Sequence, residues 1–231
     1  MKKIIYSIFL LTIFFLIALT LVLSTIGVKT DKFNSLISKT INQSNNLINL
    51  ELNSITFKLD LKQISLFLET QNPQIIYRGT SIPAKNIKAY IDFASIIKTN
   101  LQIKKVTMDL KQIDIDRLQE ISSSFKPSNF KSFINNKVQE GKLNVELELY
   151  LNKGNFLDDF IARGSVSDFR SEITKKIYLE NSNFNFFADK TDVLIKNINS
   201  SSDSLEIIDG DLKIKLNQEI SIESNFKTKI K

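Results

Sequence analysis

The chain lacks cysteine, histidine and tryptophan, and it has only three prolines and six glycines among its 231 residues. Without cysteine, no disulfide can form. Histidine is the commonest general base near neutral pH, and zinc and copper sites are usually built from histidine and cysteine. These absences predict a protein that is not an enzyme and that holds no cofactor and no metal.

Acidic pairs are the remaining candidates for catalysis. They are Asp114 and Asp116, Asp158-Asp159, and Asp209-Gly210-Asp211. We expect the first pair to cap a helix and the second to follow a turn. The third resembles a hairpin turn and lacks the further oxygen ligands of a calcium loop. A hydrolase that uses Asp158 and Asp159 is therefore the weakest functional hypothesis. No basic run with interleaved aromatic residues is present, which gives no support to nucleic-acid binding.

Charged residues are also missing from Ile4–Ile26, an apolar stretch of 23 residues without proline or glycine. As a helix it would be about 34 Å long, enough to cross a hydrocarbon core of about 30 Å. Lys2 and Lys3 precede it and Lys29 follows, so the excess of positive charge predicts a cytoplasmic N-terminus. The remaining 205 residues after Ile26 would then lie outside the cytoplasm.

A cleaved signal peptide is the alternative interpretation of this stretch. The apolar run is longer than the usual signal-peptide core of about 7–15 residues. Its exit, Leu23–Gly27, also lacks a clear small-x-small cleavage site. Both features favour an uncleaved, single-pass anchor.

Three segments follow from the pattern: a cytoplasmic tip and anchor over residues 1–27, an amphipathic helix over 28–46 and a β-rich domain over 47–231. Thr30 is placed to cap a helix that begins at Asp31. One face of that helix is apolar and carries Phe33, Leu36, Ile37 and Ile41. The helix would either plug the end of a sheet, which we favour, or lie on the membrane surface.

From Leu47 onward apolar and polar residues alternate, which is typical of half-buried strands. We expect one long strand over Leu47–Leu61, with a β-bulge at Asn53-Ser54 where the alternation slips, and a second slip at Lys104-Lys105. Arg78-Gly79 predicts a hairpin turn, and Leu143–Leu151 is the clearest strand.

Helices and further turns interrupt the alternation. Helical turns are expected over Asp92–Lys98, Asp116–Ser123 and Ser128–Gln139. The last follows Pro127 and would end at Gly141 as a C-terminal cap. Its apolar face would comprise Phe130, Phe133, Ile134 and Val138, and Lys153-Gly154-Asn155 predicts another turn.

Two architectures fit a succession of antiparallel strands with one apolar face. Two sheets can bury their apolar faces against each other in a closed sandwich, which the alternation alone favours. One long curved sheet can instead leave its apolar face partly open as a groove for acyl chains. The candidate groove residues are Leu143, Val145, Leu147, Leu149, Phe184, Phe186, Leu212 and Ile214.

The order of these features resembles the N-terminal part of the AsmA-like family of Gram-negative bacteria. The resemblance rests on the Met-Lys-Lys anchor, the capped helix Thr30–Asn45, the long strand Leu47–Leu61 and the short helix Phe93–Ile97 before Leu101–Val106. The segment Phe160–Phe169 adds a repeat-like strand with Gly164 and Val166. In pattern the resemblance covers nearly the whole chain.

This resemblance implies an inner-membrane anchor, a mainly β periplasmic domain of the β-taco type and a hydrophobic groove. It also implies a part in phospholipid transport or outer-membrane biogenesis, with membrane lipid as ligand and no catalytic residues. The chain is short for the family: about a dozen strands would make a groove of roughly 50–60 Å.

A second functional hypothesis is a non-enzymatic envelope scaffold. The alternation runs almost to Lys231, which predicts either a piece of a longer β structure or a last strand that meets an envelope protein. In that case a charge or a proline at Ile222 would abolish partnering and leave lipid binding intact.

Overall fold

The computed structural model describes residues 2–31, 34, 38, 47–63, 65–91, 103–152, 157–175, 177–216 and 220–231. The segments expected as helices over Asp92–Lys98 and over most of 31–46, and the turn at Lys153–Asn155, lie outside the described residues. The described chain is mainly β, with an apolar N-terminal helix and a long antiparallel sheet that does not close into a barrel. The expected fold class is thus confirmed.

Three helices and fifteen strands make up the described chain. The helices are α1 (Lys2–Thr25), α2 (Ile115–Ser123) and α3 (Asn129–Lys137). The strands before α2 are β1 (Val28–Thr30), β2 (Ile48–Glu51), β3 (Ile55–Asp60), β4 (Ser65–Gln71), β5 (Gln74–Tyr77), β6 (Thr80–Ile82), β7 (Ala84–Ile91), β8 (Ile103–Leu110) and β9 (Ile113–Asp114). The strands after α3 are β10 (Val138–Leu151), β11 (Leu157–Thr174), β12 (Ile177–Ala188), β13 (Asp192–Ser201), β14 (Leu205–Lys215) and β15 (Ser221–Ile230).

The large sheet has the strand order β1-β3-β4-β7-β8-β10-β11-β12-β13-β14-β15, and β9 pairs with β10 beside this path. Neighbouring strands are antiparallel throughout. At about 4.8 Å per strand, ten steps between strands make a sheet about 48 Å wide. A second sheet, β2-β5-β6, is small.

The prediction of one long strand over Leu47–Leu61 is wrong. Its first half, β2, pairs with β5 in the small sheet, and its second half, β3, pairs with β1 and β4 in the large one. Asn53-Ser54 is therefore a crossing between sheets rather than a bulge. The slip in alternation marks this change of sheet, because each half presents its apolar residues to a different partner.

Two other backbone predictions are confirmed. Arg78 and Gly79 have φ of 49° and 83° and join β5 to β6 in a two-residue hairpin, the conformation that the right-handed strand twist favours. The register of β7 and β8 shifts between Tyr90 and Ile91, so Lys104 is an extra residue where the second slip was expected.

Helices α2 and α3 confirm the two expected helices, with one correction. Ser128 caps α3, and its hydroxyl accepts a hydrogen bond from Lys131 N at 3.1 Å. Gly141 is not a C-terminal cap: α3 ends at Lys137, and the chain enters β10 directly at Val138. Ile134 and Val138 are buried as expected, whereas Phe133 is 38% exposed.

Helix α1 joins the sheet through a two-residue link. Ile26 N and Gly27 N both donate to Val22 O, at 3.0 and 2.8 Å, and Gly27 has φ of 74°. A Cβ on Gly27 would lie 2.5 Å from the backbone oxygen of Phe57, so only glycine fits this approach of the link to β3. Residues 28–30, expected at the start of the helical segment 28–46, form β1 instead.

Bulges cross five consecutive strands, β10 to β14. Gly141, Asp168, Asn181 and Asn197 have positive φ, and the register of β14 against β15 shifts between Ile207 and Asp209. In β12 the amide of Asn183 donates to Asn181 O at 3.1 Å, and in β13 the amide of Asn199 donates to Asn197 O at 3.0 Å. Such bulges bend a sheet and increase its twist.

A compact core lies where the small sheet packs on the large one. Leu50 and Ile75 of the small sheet pack with Ala84, and Ile87 and Met108 of the large sheet lie against them. The α2–α3 segment extends this cover: Ile121 and Ile134 are buried, and the rings of Tyr77 and Phe125 lie 5.1 Å apart. Together the small sheet, α2 and α3 form a cap over part of the large sheet.

Candidate functional site: the apolar face of the large sheet

One row of apolar side chains crosses the large sheet from β1 to β11. Residues that pair directly across antiparallel strands point to the same face. The pairing therefore places on one face Val28, Phe57, Leu68, Ala89, Val106, Leu149 and Phe160. This row begins two residues after Ile26, at the end of α1.

A second row continues to the far edge of the sheet, on the same face. It comprises Ile87, Met108, Leu147, Ala162, Ala188, Val193, Ile214 and Ile222. Beside it lie two shorter rows, one of Val145, Gly164, Phe186, Ile195 and Leu212 and one of Leu143, Val166 and Phe184. We call this continuous surface the apolar face.

The eight residues expected to line a groove all lie on the apolar face. Leu143, Val145, Leu147 and Leu149 come from β10, and Phe184, Phe186, Leu212 and Ile214 come from β12 and β14. Each of the eight is partly exposed, neither buried in a core nor fully open to solvent. The structure thus brings them together on one surface, and their contact with lipid stays a prediction.

Among the described residues, no further layer covers the apolar face beyond the cap. The buried hydrophobic side chains of the described chain end with Val138, and none of the hydrophobic residues described after it is buried. At the far edge Ile222 is 64% and Ile230 81% exposed. The closed sandwich is therefore not the architecture of this part of the described chain, which is an open sheet.

Glycine shapes the floor of the apolar face at two points. A Cβ on Gly164 would lie 1.9 Å from Asn144 O and 3.0 Å from the ring of Phe186. A Cβ on Gly210 would lie 2.4 Å from the ring of Phe226. Both glycines leave room for an aromatic ring from the neighbouring strand.

The part of the apolar face nearest α1 was not predicted from the sequence. Val28, Phe57, Leu68 and Ala89 were not among the candidate residues, although they extend the row of Leu149. Their alternation was visible in the sequence, but only the pairing register shows which strands share a row. The prediction that Gly210 lies in a hairpin turn is wrong, because Gly210 lies within β14.

The opposite face of the sheet carries the charged residues. Arg163 forms ion pairs with Glu146 at 2.7 Å and with Glu148 at 3.0 Å, and Lys58 forms an ion pair with Glu69 at 2.7 Å. The hydrogen bond from Arg163 lowers the pKa of Glu146. Burial acts to raise the pKa of Glu69, but the hydrogen bonds from Lys58 and Asn86 outweigh it and lower that pKa. Apolar side chains also lie on this face: Phe67 pairs with Lys58, Ile161 pairs with Glu148, and Phe187 pairs with Leu194.

The acidic pairs lie at the start of α2 and on strands β11 and β14. Asp209 pairs with Lys227 at 3.0 Å, and Asp211 accepts a hydrogen bond from Asn197 N at 3.3 Å. Asp114 is the N-cap residue of α2, but its side chain makes no capping hydrogen bond. Asp158 and Asp159 are exposed near the start of β11. Among the described residues no group of three or more acidic side chains could hold a metal ion.

The N-terminal helix adds the last element of the site. Lys3–Thr25 is long and apolar enough to cross a membrane, with a mean hydropathy of 2.7, and none of it is buried within the protein. A span of this kind near the N-terminus also fits a signal sequence. The comparisons do not choose between these readings: no protein-family model, no curated protein and no solved structure matches the chain.

Proposed function

We propose that this chain is a membrane-anchored, non-enzymatic protein that holds the acyl chains of membrane phospholipids along the apolar face. In this proposal α1 crosses the inner membrane with its N-terminus in the cytoplasm, and the sheet lies in the periplasm. The protein then takes part in phospholipid transport or outer-membrane biogenesis, as the resemblance to the AsmA-like family implies.

The observation that carries the proposal is an apolar face that begins at the end of a helix long enough to span a membrane and that no described residue covers beyond the cap. Val28 starts the first row, three residues after α1 ends, and Ile222 ends the second at the far edge. An acyl chain leaving the bilayer beside α1 would meet apolar side chains at each following strand.

The free energy of burying an acyl chain against the apolar face is large enough to support binding. Burying a methylene group contributes about 0.8 kcal/mol, so ten methylenes covered on one side contribute about 4 kcal/mol. The side of the acyl chain that does not touch the apolar face would contact water or a second acyl chain. The charged residues on the opposite face give lipid no comparable surface.

Photo-crosslinking from neighbouring residues on opposite faces tests the proposal. A photoreactive phenylalanine analogue is placed at Leu212 or, as a matched control on the same strand, at Lys213, in the full chain in phospholipid nanodiscs. We expect labelled phospholipid to crosslink at Leu212 and not at Lys213. The pair Val145 and Asn144 repeats the comparison on β10. Equal labelling of both faces, or labelling of neither, would contradict the proposal.

A further inference from the structure

Strand β15 is the most exposed strand of the described chain. Every one of its ten residues is exposed, and in the described structure it pairs with β14 alone. Among the described residues, its second edge therefore offers unpaired backbone donors and acceptors along its whole length. Ile222, Phe226 and Ile230 extend the apolar face onto it, with 64%, 42% and 81% of their surface exposed. An edge of this length and character is a template for another strand.

The sequence of β15 is complementary to itself when read in opposite directions. In an antiparallel pair centred on Phe226, each residue before the centre faces one the same distance after it. The facing residues are Ile222 and Ile230, Glu223 and Lys229, Ser224 and Thr228, and Asn225 and Lys227, with Phe226 facing its own copy. Three apolar pairs, two ion pairs and two hydroxyl pairs therefore form at once.

From this complementarity we infer that β15 pairs with β15 of a second copy of the chain, about a two-fold axis at Phe226. The pair would add about ten backbone hydrogen bonds and join two large sheets into one. Ile222, Phe226 and Ile230 of both copies would then make the apolar face continuous across the axis. The inference does not depend on lipid binding, because it rests on the edge and its charges.

The charges provide an internal test. Glu223 lies 2.7 Å from Lys215 of its own chain, and Lys229 pairs in register with Glu206. Glu223→Lys and Lys229→Glu each break the ion pairs between copies, whereas the double variant restores them with reversed sign. Within one chain the double variant instead sets Lys beside Lys215 and Glu beside Glu206. Recovery in the double variant therefore reports contact between copies.

The measurement is the protein mass of the full chain in detergent, by light scattering during size-exclusion chromatography. One chain has a mass of 26.4 kDa. We expect twice that mass for the unmodified chain and the double variant, and at least a tenfold weaker dimer for each single variant. A mass of one chain at every concentration, a double variant as weak as the singles, or a complex with a different protein in place of the second copy would overturn the inference.

Cysteine crosslinking gives a second, independent readout, since the chain has no cysteine of its own. Phe226→Cys would place two Cα atoms about 4.5–5.5 Å apart across the axis, within disulfide range. Ser224→Cys is the control, because its two copies would lie about 13 Å apart along the strands. Oxidation should give a covalent dimer only from the first variant, and equal crosslinking of the two would refute this register.

Discussion

Truncating one core residue of the cap and one residue on the open part of the apolar face should have very different effects on stability. Ile75 is 8% exposed and packs in one buried cluster with Leu50 and Ala84. Ile75→Ala removes three carbon atoms, worth about 2.4 kcal/mol of transfer free energy, and leaves a cavity that adds to the loss. We expect the free energy of unfolding to fall by about 3–4 kcal/mol.

Leu212 is the matched position, since it also loses three carbon atoms on truncation but lies on the uncovered part of the apolar face. No layer closes over it in the described structure, so Leu212→Ala leaves an open surface rather than a cavity. We expect a loss of about 1 kcal/mol in lipid-free protein, where only part of the side chain leaves contact. Added phospholipid should stabilise the unmodified chain more than this variant.

The assay is urea unfolding of the full chain in detergent, followed by circular dichroism of the strand signal, with and without added phospholipid. The result to compare is the loss of unfolding free energy in Ile75→Ala and in Leu212→Ala. Losses that agree to within about 0.5 kcal/mol would refute an open face, because they would mean that Leu212 is as tightly covered as Ile75.

Three further predictions concern the link, the charged face and the bulges. Gly27→Ala should lower the free energy of unfolding by about 1–3 kcal/mol, since φ is 74° and the new Cβ meets Phe57 O, and an unchanged thermal midpoint would contradict this contact. The pKa of Glu146 is lowered from 4.5 by Arg163, so its contribution to stability is complete above pH 4.5 and is lost as pH falls through the lower folded-state pKa. Glu146→Gln should flatten the acid limb of a plot of unfolding free energy against pH, and an unchanged slope there would exclude this carboxylate as a cause. Asn183→Ala should lower the free energy of unfolding by about 1 kcal/mol, because it removes the hydrogen bond from the Asn183 side-chain amide to Asn181 O. The rate of amide hydrogen exchange should rise locally at the bulge rather than across the sheet.

The alternation of residues predicted the strands well but not which sheet each would join. Leu143–Leu151 lies within β10, and the hairpin at Arg78-Gly79 was correctly placed. The split of Leu47–Leu61 between two sheets was missed, because period two is the same in either sheet. A long-range pairing decides it, and no local signal encodes that pairing.

The apolar face was predicted only where the alternation stays regular. Beyond each bulge the apolar residues change from one parity to the other: in β11 Val166 and then Phe169 lie on the same side. Asparagine was abundant enough that its positions carried little weight in the sequence analysis. The repeated Asn-x-Asn at Asn181–Asn183 and Asn197–Asn199 was nevertheless the available signal, because asparagine tolerates positive φ and its amide can bond the bulge carbonyl.

The short link at Ile26 and Gly27 couples the orientation of α1 to that of the large sheet. Gly27 is packed against the backbone of Phe57, so α1 and the first strands should move together. Helices tilt to match bilayer thickness, and a change of about 10° would move a strand about 48 Å away by about 8 Å. With α1 in the membrane as we propose, the thickness of the bilayer would thereby set how far the distant edge of the sheet lies from the membrane surface.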